Sequence, residues 1–336
     1  MSDALSIPSW ILSNAKPMAG DWLETRKQGI SGTEISAIVG LNPWSSSYDV
    51  WLDKTGQSEP FEPNEAMEWG TILEPLIAQK LCDKTGKRFI LNGPQCWQDM
   101  KHELRVCTPD GFFEDPEAGE IKTASAYVRN KWGDPGSDDI PDQYFIQCQW
   151  NLATIGAEVM HVPVLFGGQN LLLYRVEADK DFQDMLYESA LGWWEHHIIK
   201  GNEPEMIWSP SVDQWLKSHF SHRNHVMIPA SVQAIESGMR LNEIDDEIKA
   251  LEEEANNLKA FVQKEIGDND GVEWGKGKTR SKMTWKKSKD GTSTSWKAVV
   301  EHCKANGLVP TDEIISENTV EKPGSRSFRK NIKTNE

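Results

Sequence analysis

Residues 105–122 constrain this chain more than any other stretch. They read Arg-Val-Cys-Thr-Pro-Asp-Gly-Phe-Phe, then Glu-Asp-Pro-Glu-Ala-Gly, then Glu-Ile-Lys. Two strand-forming runs flank a turn at Asp115-Pro116-Glu117-Ala118-Gly119, which predicts a hairpin. Side chains alternate along a strand, so Glu120 and Lys122 share a face, and the reversal brings Asp110 beside them. The backbone carbonyl of Ile121 lies between the two and is a natural further oxygen donor.

Around the hairpin, residues 1–208 mix helical and strand patterns punctuated by Gly and Pro, which predicts an α/β domain. A short helix begins at Asp21. Thr33 or Ser31 caps the next, which carries Ile35, Ile38 and Val39. A third helix spans 47–55 and closes at Gly56. Residues 65–85 read as a long buried helix with apolar Met67, Ile72, Leu73, Leu76, Ile77 and Leu81. Glu74 is embedded in it and Gly86 is its C-cap. Further helices are expected at 144–154 and 182–199, and a strand pair at 161–166 and 171–176, joined by Gly167-Gly168.

Beyond this domain, Leu241, Ile244, Ile248, Leu251, Ala255, Leu258 and Val262 recur at alternating spacings of three and four, a heptad seam. It predicts a helix over 231–266, either a self-associating coiled coil or a strut on its own domain. Residues 268–336 form a small basic module, with strand-like pieces at 282–285 and 326–328 and a helix at 296–305. Trp274, Trp285 and Trp296 alternate there with Lys276, Lys278, Arg280, Lys286 and Lys287. Such a set suits either a nucleic-acid face or the core of a small β-rich cap.

The net charge of −16 argues at first against a nucleic-acid partner, but its distribution is uneven. Residues 275–336 hold 14 Lys and Arg against 7 Asp and Glu. An acidic bulk with local basic patches does not exclude DNA. The five cysteines include no CxxC pair, which suits reduced thiols in a cytoplasm. No apolar run is long enough to span a bilayer, and the N-terminus lacks the pattern of a secretory signal.

Hydrolysis of a phosphodiester at neutral pH needs charge stabilisation in the transition state and a source of hydroxide. Hard divalent cations supply both and take oxygen ligands, while a nearby lysine can orient the attacking water. Asp110, Glu120 and Lys122 match that requirement in the PD-(D/E)XK arrangement, with Pro109 in place. The pattern also occurs by chance on surface hairpins. The flanking segments narrow it: WLETRKQGISGTEISAIVGLNPW, YDVWLDKTG, WGTILEPLIAQ, CTPDGFF, GEIKT and IPDQYFIQCQW, in that order.

Together these segments, from Trp22 to Tyr174, resemble the YqaJ-type viral recombinase, or lambda exonuclease-like, family of the PD-(D/E)XK nuclease superfamily. The resemblance implies a restriction-endonuclease-like fold, a mixed sheet flanked by helices, followed here by the heptad helix and basic module. It implies a Mg²⁺-dependent 5′→3′ exonuclease on double-stranded DNA ends, with Mn²⁺ able to substitute. Such an enzyme exposes 3′ single strands for a single-strand annealing or recombinase partner and can form a ring-shaped homo-oligomer.

By the same resemblance, Asp110, Glu120 and the Ile121 carbonyl are the metal ligands, with Glu74 supporting them. Lys122 positions the water, and Gln147 rather than Gln149 faces the site. Arg26 with Thr33, or with the competing Ser31, holds a 5′-terminal phosphate; the plain alternative for Arg26 is a surface salt bridge with Glu24 or Glu34. A guanidinium forks onto phosphate oxygens and a helix N-terminus favours an anion. The rival readings are an endonuclease or flap-type nuclease on the same fold, and a non-catalytic DNA-binding or assembly protein with a vestigial site. His196-His197 reads as a helix-end feature.

Overall fold

The computed structural model describes residues 7–58, 64–274, 281–285, 304 and 307, and the backbone alone at Trp22 and Leu23. Its first compact unit ends at Phe220, and a second begins at Ser221. The first opens with helix α1 (Ser9–Leu12), strand β1 (Ala15–Pro17) and helices α2 (Trp22–Arg26), α3 (Gly32–Ile38), α4 (Ser47–Lys54) and α5 (Glu65–Thr85). Strands β2 (Phe89–Leu91), β3 (Trp97–Asp99), β4 (Val106–Cys107), β5 (Gly111–Phe113), β6 (Glu117–Gly119) and β7 (Lys122–Ala124) follow. Then come α6 (Asp142–Ile155), β8 (Val159–Phe166), β9 (Asn170–Glu177), α7 (Lys180–Trp194) and α8 (Pro210–His219).

The architecture is a mixed sheet flanked by helices. β2, β5 and β6 pair antiparallel, β6 and β7 both pair parallel with β8, and β9 closes against β8 antiparallel. Strand alternation gives the sheet two apolar faces. Phe112, Met160, Val162 and Val164 cluster with Cys148, Leu152 and Ile155 of α6. Phe113, one residue on, joins Phe89 and Ile121 under Ile77, Ala78 and Leu81 of α5. The far side of α6 presents Ile146 and Trp150 to Ile35 of α3 and to Leu186 and Ala190 of α7. Helix α6 is therefore buried on nearly all sides, and Gln147, Gln149, Asn151 and Thr154 are polar residues within that buried surface.

Two expectations change. Helix α5 spans the expected residues and ends at Gly86 in the left-handed conformation (φ 68°). It is not buried throughout, however. Met67, Ile72 and Leu76 are exposed, because only the face carrying Leu73, Ile77, Ala78 and Leu81 rests on Phe89, Phe113 and Ile121. The strand expected to run through residues 120–123 is also interrupted. Gly119 pairs with His161 and Lys122 with Val164, so Val162 and Pro163 stand opposite Glu120 and Ile121. Proline has no N–H to give to a ladder, and Ile121 donates its own N–H to Asp110 Oδ2 at 2.6 Å.

In the second unit, α9 (Val232–Ile266) covers the heptad segment, and Leu241, Ile248, Leu251 and Leu258 of its seam are exposed. Strands β10 (Gly271–Trp274) and β11 (Ser281–Thr284) pair antiparallel, leaving Trp274 and Trp285 about half exposed. The helix expected at 296–305, apart from Lys304, and the strand-like piece at 326–328 lie outside the described residues, as do Lys276, Lys278, Arg280, Lys286, Lys287 and Trp296. Among the described residues no helix is long and apolar enough to cross a membrane.

Close contact of α3 with α6 depends on Gly32. A Cβ there would lie 2.8 Å from Asn151 Oδ1, 2.9 Å from Gln147 Cγ and 3.0 Å from the Gln147 carbonyl oxygen. The carbonyl belongs to a buried helix and cannot yield. Gly32→Ala is therefore expected to destabilise the protein by about 1–3 kcal/mol, the usual cost of overpacking. Urea unfolding should show a lower midpoint with an unchanged m-value.

Candidate active site

Glu120 sits at the break between β6 and β7, buried, with its N–H donated to the His161 carbonyl at 2.9 Å. Its carboxylate turns toward α6. Lys122 Nζ donates to Oε1 at 2.7 Å, Gln147 Nε2 to the same oxygen at 2.6 Å, and Asn151 Nδ2 to Oε2 at 3.1 Å. Lys122 Nζ also reaches Gln147 Oε1 at 3.3 Å and stands 5.1 Å from the centre of the Tyr144 ring. Charge-assisted hydrogen bonds of this kind fix the direction of a buried carboxylate.

Asp110 enters from the start of β5. Burial and the nearby Glu120 push its carboxyl well above the usual range, although Lys122 and the Ile121 N–H act the other way. Glu74, on α5, is likewise raised, by burial and by Glu120. Burial opposes charge on Lys122, yet Glu120 and Asp110 outweigh it and hold the ammonium protonated. Glu74, Asp110 and Glu120 therefore repel one another across one small region while sharing a single cation.

Among the described residues, no three His, Cys, Asp or Glu side chains are gathered tightly enough to enclose an ion as they stand. The chemistry of the donors fits one nonetheless. Three mutually repelling carboxylates, with the Ile121 carbonyl in the interrupted ladder, form an all-oxygen set suited to a hard divalent cation. The described cysteines Cys82, Cys96, Cys107 and Cys148 are free thiols, and burial pushes those of Cys107 and Cys148 up.

A second charged cluster occupies the start of α3. Ser31 is its N-cap and shares a capping box with Glu34, whose Oε2 accepts the Ser31 N–H at 2.7 Å. Arg26 Nη2 donates to Ser31 Oγ at 3.2 Å and lies 3.4 Å from Glu34 Oε1. Ser31 Oγ and Thr33 Oγ1 are 3.3 Å apart. Lys54 is fully buried and donates to both Glu34 oxygens at 2.9 Å and to the Arg26 carbonyl at 2.7 Å. Burial disfavours charge on Glu34, but Lys54, Arg26 and the Ser31 N–H outweigh it and hold its carboxyl below the ordinary value. The capping residue is thus Ser31 rather than Thr33, and two cations face one carboxylate.

Asp110, Glu120, Ile121, Lys122, Gln147 and Glu74 thus converge from β5, the β6–β7 break, α6 and α5. Arg26, Ser31 and Thr33 gather separately at α3. Gln149 points elsewhere: its Nε2 donates to the Glu177 carbonyl, and its Oε1 accepts from Asp179 N and Gln183 Nε2. His197 Nδ1 lies 2.7 Å from the Asn202 carbonyl, in a π-type final turn after α7. Two participants, Asn151 and Lys54, went unread in the sequence, whereas Glu34 was already a candidate partner of Arg26 and forms that pair. Asn151 was detectable, being four residues after Gln147 and so on the same face of a helix. Lys54 was not, since nothing local marks a lysine as the partner of a glutamate twenty residues away.

The crowding has a measurable consequence. A carboxyl whose folded pKa lies above its unfolded one binds its proton more tightly when folded. Stability from Asp110 is then fully present at low pH and declines as pH rises from the ordinary carboxylate range through the raised value. Asp110→Asn retains an acceptor for the Ile121 N–H and removes the charge. Without divalent cations near neutral pH it should melt about 2–4 °C higher than wild type, the scale of roughly 1 kcal/mol in a domain of this size. An equal or lower melting temperature would show that repulsion at Asp110 is unimportant.

Residues 21–158 match the YqaJ-like viral recombinase domain. The uncharacterised protein YqaJ of Bacillus subtilis (strain 168) is 28% identical over 268 residues, 77% of this chain and 81% of that relative. Among solved structures, an alkaline exonuclease (LHK-Exo) from Laribacter hongkongensis aligns with a TM-score of 0.44 and 16% identity, covering 53% of this chain and 92% of its own. A phage related exonuclease from Haemophilus somnus 129PT aligns at 0.40 and 11% identity, covering 52% and 96%. The similarity to the YqaJ-like viral recombinase domain thus covers residues 21–158, and similarity to YqaJ extends over most of the chain.

Proposed function

We propose that this chain is a metal-dependent deoxyribonuclease that degrades double-stranded DNA from its ends in the 5′→3′ direction. The observation carrying the reading is the meeting of Asp110, Glu120 and Lys122, with Gln147 clamped between the last two, at one break in the central sheet. Mg²⁺, with Mn²⁺ as a substitute, would be held by Asp110, Glu120, the Ile121 carbonyl and Glu74. When bound it supplies charge stabilisation for the pentavalent transition state and a more acidic water.

The protein's own groups divide the remaining work. Lys122 is held as an ammonium, so it acts by donating a hydrogen bond that orients the attacking water. Gln147 bonds both Lys122 and Glu120 and keeps the two in register. Arg26, Ser31 and Thr33 would receive a terminal 5′-phosphate, in a cluster whose two cations exceed its one carboxylate. The reading extends to 3′ single strands passed to an annealing or recombinase partner in a bacterial or phage-infected cytoplasm. The exposed seam of α9 supports self-association of the chain.

End-directed hydrolysis separates this reading from an endonuclease. In Mg²⁺ the protein should degrade linear duplex and leave covalently closed duplex intact. A 5′-phosphorylated end should be consumed about tenfold faster than a 5′-hydroxyl end, as charge-assisted hydrogen bonds of roughly 1.5–3 kcal/mol require. Arg26→Ala should erase most of that difference. Asp110→Ala and Glu120→Ala should lose cleavage altogether, and Lys122→Arg should not restore what Lys122→Ala loses. Cleavage of closed duplex at the linear rate would favour the endonuclease, and full activity of Glu120→Ala would remove the site.

A further inference from the structure

Trp44 is 59% exposed, a costly position for the largest apolar side chain. It sits in the loop after α3. Asn42 Nδ2 donates to Ser36 Oγ at 3.1 Å and to the Thr33 carbonyl at 3.3 Å, and Asn42 Oδ1 accepts the Trp44 N–H at 2.9 Å. Pro43 stiffens the same turn. The loop is thus tied to the helix that begins at the Arg26–Ser31 cluster. One side of the Trp44 ring meets Tyr144, with centroids 6.1 Å apart and planes at 41°. Tyr144 in turn stacks on Trp132 at 5.5 Å and 28°, and its ring lies 5.1 Å from Lys122 Nζ. A row of rings therefore leads from an exposed indole to the ammonium at the centre of the candidate site.

This row is more than core packing. Trp132 is buried and Tyr144 half-buried, as packing demands, whereas Trp44 leaves most of its surface to solvent. A large, pre-oriented aromatic face beside a phosphate-handling site is suited to a flat, neutral, apolar ligand whose position is set by an attached charge. A nucleobase is such a ligand, and stacking accepts any of the four. We propose that Trp44, backed by Tyr144, is the stacking platform for an unpaired nucleobase of the strand whose phosphate lies at Lys122. This rests on the nuclease reading. It adds a sequence-independent base contact that holds the strand while the carboxylate cluster works.

The test uses a duplex carrying one unpaired, 5′-phosphorylated 2-aminopurine at its end, whose fluorescence falls on stacking. Ca²⁺ serves as the oxygen-preferring cation for binding, and the same duplex in Mg²⁺ reports cleavage by the wild type. Full-length wild type should quench the probe, and Trp44→Phe should retain most of the quenching. Trp44→Ala should lose it and bind about tenfold more weakly, on the scale of one base–aromatic stack. Circular dichroism and thermal melting of Trp44→Ala should match wild type, since an exposed ring contributes little to the fold. Quenching and affinity unchanged in Trp44→Ala would overturn the platform even if the wild type cleaves DNA. Quenching that depends on Trp44 without any cleavage in Mg²⁺ would uphold the platform and overturn the nuclease reading.

Discussion

The structure turns on the carboxylate of Glu120. It is buried beside the central strand, and nothing but hydrogen bonding keeps a charge there tolerable. Lys122, Gln147 and Asn151 all reach it, one from the next strand and two from successive turns of α6. That single group thus locks the interrupted strand to the helix behind it. The interruption is equally necessary. Pro163, opposite Ile121, brings no donor to the ladder at that point, and the Ile121 N–H donates to Asp110 instead of to a neighbouring strand. Polar chemistry enters the sheet where its own hydrogen bonding lapses.

Helix α6 transmits this arrangement outward. Its Gln147 and Asn151 hold Glu120 on one side and lie against Gly32 on the other. Gly32 is the first residue of α3, immediately after Ser31 and six residues after Arg26. The two charged clusters are thus mechanically joined through one glycine. The α3 cluster has its own buried anchor in Lys54, which ties α4 to Glu34 and to the carbonyl of Arg26. Breaking a buried pair by removing one partner typically costs about 3–5 kcal/mol, so Lys54 governs the geometry around Arg26 without facing solvent.

Much of the site was legible because its residues are local or periodic. Asp110, Glu120 and Lys122 fall within one hairpin; helical rotation lets only one of Gln147 and Gln149 face the site, and the family resemblance pointed to Gln147. The limits of α5 were readable from its apolar spacing and from Gly86. Other features depend on contacts between distant residues. Trp150 Nε1 donates to the Ile30 carbonyl at 2.8 Å across 120 residues, which no local pattern encodes. The burial assigned to Met67, Ile72 and Leu76 of α5 failed for a related reason. Apolar spacing identifies a face, but whether the sheet extends beneath it is a tertiary fact. Pro163 carried a signal that local reading passed over, since a proline inside a strand marks a lapse in pairing.

The central claim is that Asp110 and Glu120 form one cation site and that Lys122 is held by it. Calorimetric titration of the metal-free protein with Mn²⁺ tests this without relying on catalysis. Wild type should bind saturably, releasing protons where the raised Asp110 carboxyl is still protonated, and Glu120→Gln and Asp110→Asn should each abolish that binding. Unchanged stoichiometry and affinity in both variants, with no proton release in the wild type, would contradict the account.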